Sequence, residues 1–182
     1  MKIDHYHTRY LLLVLCFWPC LAASATELGI FQLSNERLNY MTDVALYKKQ
    51  NNLPVEDLAR EQIVIANAVA AAASQGLQGE SIELFFATQI GVAKAIQFRS
   101  LANWISEPAT GTTPDLLTEI RPALSRLGDE IVMKLAEFIA AGNLISEVQR
   151  ASFHREITAE NLSLADNDRL FNSLLLVRAT QE

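Results

Sequence analysis

The feature that most constrains this chain is how rarely anything stops a helix. Its 182 residues hold only 7 Gly and 5 Pro. Between those breaks apolar residues recur three and four positions apart, the helical period. The first such segment, Glu27–Gln50, carries Leu38, Met41, Ala45 and Leu46. Asn51-Asn52-Leu53-Pro54 interrupts it, and Pro54 suits the first turn of a second helix. That helix runs through Ala70–Ala73 to about Gln75, and Gly76 to Gly79 end it. A third segment extends from Glu80 to about Ile105, and Ser106–Pro114 is a clear loop. A fourth helix is read over Asp115–Ala141, with its true start or a kink near the internal Pro122. Leu144–Arg178 reads as two or three shorter helices, divided near Ile157–Thr158 and Ala165–Asn167. No strand pattern or repeat stands out. The expected fold is all-α, a single-domain bundle of about six helices.

The N-terminus has a different logic. Lys2 and Arg9 precede an unbroken apolar run, Leu11–Trp18, and Ala23-Ser24-Ala25 offers small residues at a cleavage site. This is the layout of a secretory signal peptide, and the run is too short to span a bilayer. The expected division is residues 1–25 as a cleaved signal and 26–182 as the working domain. Cleavage removes Cys16 and Cys20, together with His5 and His7, and leaves 157 residues with a net charge of −7. Such a domain has no disulfide and must be stable through its core. Its acidity argues against broad electrostatic binding to nucleic acid or anionic lipid. With His154 as its one histidine it has little with which to build a metal site. The expected location is periplasmic or secreted, with no membrane association after cleavage.

Several charges sit where the helical pattern is otherwise apolar. Arg37 and Lys48 are eleven residues apart, three turns plus about 20° at about 100° per residue, so they share a face. Asp57, Arg60 and Glu61 have the i, i+3, i+4 spacing that groups them on the second helix. Gln97 lies one turn after Ala93 in a stretch of small and apolar residues, and Arg121 opens the apolar part of the fourth helix. Taken singly, each of these is read most simply as a solvated or salt-bridged surface charge, an exposed pair contributing ~0.3–0.5 kcal/mol. His154 reads as structural or exposed, Phe98 and Trp104 as core or dimer-contact residues. Asp129-Glu130 and Asp166-Asn167-Asp168 read as solvated or helix-start acids.

Taken together, the motifs resemble a known family. Asn35-Glu36-Arg37-Leu38, Tyr47-Lys48 and the run Asn52 to Glu61 are similar to the all-helical chorismate mutases. Phe85 to Ile90, Ala93 to Gln97, Asn103-Trp104 and Ile120-Arg121-Pro122 continue the likeness, dense from about Leu33 to Leu135. The signal peptide and extra C-terminal helices resemble the secreted, gamma subclass. The resemblance implies rearrangement of chorismate to prephenate, on the phenylalanine and tyrosine branch, with no cofactor, metal or covalent intermediate. It implies that Arg37, Arg60 and Arg121 grip the substrate carboxylates and that Lys48 reaches the ether oxygen and a carboxylate. Gln97 would donate a second hydrogen bond to the ether oxygen. Asp57, through its backbone, and Glu61, through its side chain, would bind the ring hydroxyl. A homodimer with each site inside one chain is also implied. Two residues depart from the pattern: Ala93 stands where many relatives carry Ser or Thr, and Lys94, where some carry an acid, is free to point outward and is assigned no role.

Two other readings stay open at this level. One is an isochorismate pyruvate-lyase on the same bundle, using the same cage. The other is a non-enzymatic exported helical binding protein with the charges on separate outer faces. Solvent exposure of Arg37, Lys48, Arg60 and Arg121 separates the last reading from the two enzymes.

Overall fold

The structure is a computed structural model that describes residues 18–180. Among these residues the chain forms six α-helices and no strand. They are α1 (Trp18–Gln50), α2 (Leu58–Ser74), α3 (Gly79–Ser106), α4 (Arg121–Ala140), α5 (Arg150–Glu156) and α6 (Leu164–Leu174). A π-turn, Leu116–Ile120, leads into α4, and a 3₁₀ turn, Glu147–Gln149, leads into α5. α1 packs against α3 and α4, and α2 closes on the same pair. α6 covers α3 from the other side, and α5 joins α6 to α1.

Each long helix buries the stripe that its spacing dictates. On α1 the stripe is Phe31, Leu38, Met41 and Ala45, and Arg37 and Lys48 lie along its edge, 9% and 8% exposed. On α3 it is Ile82, Phe85, Phe86, Val92 and Ile96, interrupted by the buried amides Gln89 and Gln97. α2 turns Ala68 and Ala72 inward, and small side chains let a helix approach its neighbour closely. Below the bundle Phe153 of α5 stacks edge-on against Phe31 at 5.0 Å and lies 5.2 Å from Phe171 of α6. Burial of such rings contributes roughly 1.5–3 kcal/mol each.

Several boundaries differ from the sequence reading. α1 starts at Trp18, not Glu27, so its backbone runs helically through the expected cleavage site; Leu and Ala there are strong helix formers. The rest of the expected signal, residues 1–17, lies outside the described residues. Pro54 is not in the first turn of α2: the chain stays irregular to Asp57, whose side chain caps the helix by accepting from Arg60 N at 3.1 Å. α4 begins at Arg121 with Pro122 in its first turn, as the proline required. The second C-terminal break falls before Ser163 rather than at Ala165–Asn167, because Ser163 caps α6 and those residues form its first turn. At the end of α2, Gly76 takes φ +73°, and the chain then pairs Leu77 with Ala179 in an isolated antiparallel bridge.

Candidate active site

The irregular segments that lead into α2 and α4 border a cavity of about 140 Å³ left between the four helices α1–α4. That is well above the ~10–15 Å³ one water needs. Arg37, Lys48, Asp57, Arg60, Glu61, Gln97 and Arg121, the seven residues singled out by sequence, all line it. The separate-faces reading therefore fails for its cations.

Arg37 is buried among neutral acceptors. Its Nε donates to Gln89 Oε1 at 2.8 Å, and its Nη1 donates to the Leu124 carbonyl. The guanidinium also lies 5.5 Å from the centre of the Phe86 ring. Burial lowers its pKa to about 10, against an opposing pull from Asp129, so it stays charged at neutral pH. Gly128 makes room for it: a Cβ there would sit 3.2 Å from Nη1. Lys48 follows three turns later and donates to the Val55 carbonyl at 2.6 Å, pinning the segment between α1 and α2. Its pKa is also lowered, first by burial; Arg121 and Lys94 push the same way, while Asp57 and Glu61 oppose.

The N-terminus of α2 supplies the acids. Asp57 caps the helix with Oδ1 and holds Arg121 Nη2 at 2.8 Å with Oδ2. Glu61 turns back to accept from Asp57 N at 3.3 Å. The π-turn before α4 presents Arg121. Asp115 begins that turn, accepting from Leu117 N and Thr118 N, and its other oxygen takes the Tyr47 hydroxyl at 3.2 Å. π-turns of this kind recur at functional sites. Arg121 is thus fixed from α1 as well as α2.

Lys94 corrects the sequence reading. It lines the cavity, with Nζ 3.0 Å from Glu61 Oε2 and 3.5 Å from Glu56 Oε1, and the hydrogen bond to Glu61 raises its pKa. Gln97 is 4% exposed; its Nε2 donates to Ala93 O at 3.2 Å and faces Met41 Sδ at 3.7 Å, while its Oε1 has no partner. Ala93 itself lines the wall without a polar group. The sequence reading passed over Gln89, Gly128 and Asp129 as site residues; Asp129, read as a solvated acid, is exposed but stands at the cavity rim.

Counted over the lining, five cations (Arg37, Lys48, Arg60, Lys94, Arg121) face three carboxylates (Asp57, Glu61, Asp129), an excess of two positive charges. Among the described residues no group of three or more His, Cys, Asp or Glu is placed to hold a metal ion. A largely apolar chamber with a cationic surplus is a site for a small dianion.

Comparison with known proteins gives that site a family. The profile described as chorismate mutase type II matches residues 26–98. The secreted chorismate mutase of Yersinia pestis is 38% identical, over 98% of this chain and 99% of the relative. The monofunctional chorismate mutase of Enterobacter agglomerans is 33% identical over 84% of this chain and 86% of its own length. The crystal structure of the Yersinia pestis protein superposes with a TM-score of 0.76, covering 83% of this chain and 97% of that one. The chain belongs to the chorismate mutase family, and its function is that of an isomerase.

Proposed function

We propose that residues 26–182 are an exported chorismate mutase domain, released from a signal peptide over residues 1–25, that works in the periplasm or outside the cell as a homodimer. The sequence layout of the N-terminus and the relatives named as secreted support export. No described helix is long and apolar enough to cross a membrane.

The observation that carries the reading is the surplus of two positive charges in the pocket. Chorismate is a dianion with a ring hydroxyl and an ether bridge. Its rearrangement is unimolecular, so the protein must hold the folded conformer and stabilise charge that grows on the ether oxygen. Arg37, Arg60 and Arg121 are suited to the two carboxylates, because a guanidinium offers a planar fork. Lys48 has one acceptor, Val55 O, and further N–H groups to direct at the ether oxygen and a carboxylate. Gln97 has one firm bond, to Ala93 O, and one weak contact, to the Met41 thioether. A ligand oxygen competes readily for the second N–H, which would make Gln97 the other ether donor. Asp57 N and the Glu61 carboxylate would take the ring hydroxyl. Lys94 holds one oxygen of that carboxylate, and the other accepts from Asp57 N.

The test is turnover by residues 26–182, purified without added metal, with the product identified. Prephenate from chorismate, abolished in Lys48→Ala, is the expected result. Pyruvate from isochorismate with little prephenate would move the protein to the lyase reading. No turnover of either would leave only a binding protein.

A further inference from the structure

Gln89 is a buried amide of the pocket whose orientation is forced by an arginine. It lies on α3, 2% exposed, two turns before Gln97. Arg37 Nε–H donates to it at 2.8 Å. An arginine has no acceptor, so the atom that meets it must be the carbonyl oxygen. The other end of the amide is therefore the NH₂ group, and that Nε2 is buried with no hydrogen-bond partner. A buried donor left unmade is costly, and each such group in a folded protein calls for a cause. Here the residue lines the cationic cavity, on the α3 face that also carries Ala93, one turn on, and Gln97.

We propose that Gln89 is a further substrate-binding residue: Nε2 donates to an oxygen of the carboxylate that Arg37 grips, while Oε1 holds the arginine in place. One amide thus reads the anion and positions its cation. A carboxylate set between them accepts from both and fills the vacant donor. The inference rests on the chorismate mutase reading, and deepens it by adding a neutral contact to the cage.

Two variants and one spectrum test it. Gln89→Leu removes both halves of the role. Gln89→Glu keeps an acceptor for Arg37 and loses the N–H. Both should raise KM for chorismate by about ten- to hundredfold, the size of one hydrogen bond to a charged acceptor. The KM of Gln89→Glu should fall as the pH is lowered, because a protonated carboxyl donates again. If Gln89 only held Arg37, Gln89→Glu would keep the wild-type KM at neutral pH and worsen in acid. In ¹⁵N-labelled wild-type protein, the Gln89 side-chain amide, assigned by its absence in Gln89→Leu, should move downfield when prephenate is added. An amide that does not move, or a neutral-pH KM within twofold of wild type in Gln89→Glu, would overturn the proposal. Wild-type enzyme assayed alongside separates this failure from failure of the mutase reading, which would appear as no prephenate from wild type at all.

Discussion

Two regions of this bundle, on either side of α3, treat charge in opposite ways. Where α6 covers α3, charges are matched. Arg99 meets Asp166 at 2.6 Å, and Asp166, 3% exposed, also takes the Ser163 hydroxyl. Arg150 bonds Glu147, Asp168 and Asn172 and lies 4.5 Å from the centre of the Phe171 ring. His154 reaches the same Asp168 at 3.1 Å. At the pocket, cations outnumber acids, and Arg37 is held by neutral oxygens with no carboxylate bonded to it. A matched network specifies structure. An unmatched one costs stability and is kept where a ligand completes it.

That contrast sets the expected ranking of mutations. The largest effect falls on turnover. Lys48→Met keeps the stem and removes the charge, and should lower kcat by about 10²- to 10³-fold or more, the scale of a lost oxyanion-hole donor; steady-state prephenate formation checks it. Next, Asp166→Ala in the matched region should cost about 1–3 kcal/mol of stability, as it removes the acceptor of the Ser163 hydroxyl and leaves Arg99 with Asn161 O but no carboxylate. Urea unfolding reads this, and KM for chorismate should stay within about twofold. Gln97→Glu sharpens the chemistry. An amide donates at any pH, so the wild type should be nearly flat across neutral pH, whereas the variant should work mainly in acid, where its carboxyl is protonated. Equal activity of that variant at about pH 8 would remove Gln97 from the ether oxygen.

Two smaller effects follow from burial. The lowered pKa of Lys48 means that holding it charged costs folding free energy below that pKa. The cost is relieved as pH rises through the lowered value toward the 10.5 of an ordinary lysine. Activity runs the other way, because the charged form does the work. The alkaline limb of kcat/KM should therefore have its midpoint below 10.5; a midpoint above it would contradict the burial of Lys48 in the free enzyme. Smallest is Gly128→Ala, where the new Cβ would crowd Arg37 Nη1 at 3.2 Å. A several-fold rise in KM with little change in stability is expected, since alanine favours the helix by about 0.5–1 kcal/mol.

The sequence made the local part of this legible. The eleven-residue step from Arg37 to Lys48 and the Asp57, Arg60, Glu61 cluster are facts of one helix each, and the structure sets all five in the pocket. What could not be read locally was pairing across helices. Lys94 faces Glu61, 33 residues away, and Asp166 is buried because Arg99 lies 67 residues away on α3. Phe98 reads as a core or dimer-contact residue; it is not core, being 53% exposed because α3 turns its Gln97 face inward. Gln89 fell within the Phe85 to Ile90 motif but gave no sign of its role: an uncharged amide in an apolar run reads as a tolerated core residue until its partner and its unpartnered nitrogen are seen. Pro54 misled because a proline suits the start of a helix, but the Asp57 cap and the Lys48–Val55 hydrogen bond hold the chain irregular for three residues more.

The central claim is that the pocket's unmatched charge exists for a substrate and not for the fold. It is tested most directly by measuring prephenate formation and urea unfolding side by side on Lys48→Met. The account predicts turnover lost by at least about two orders of magnitude with stability within about 1 kcal/mol of wild type, the lost Val55 bond offset by relief of a buried charge. A variant that keeps near-normal turnover, or one that loses turnover only because it unfolds, would contradict it.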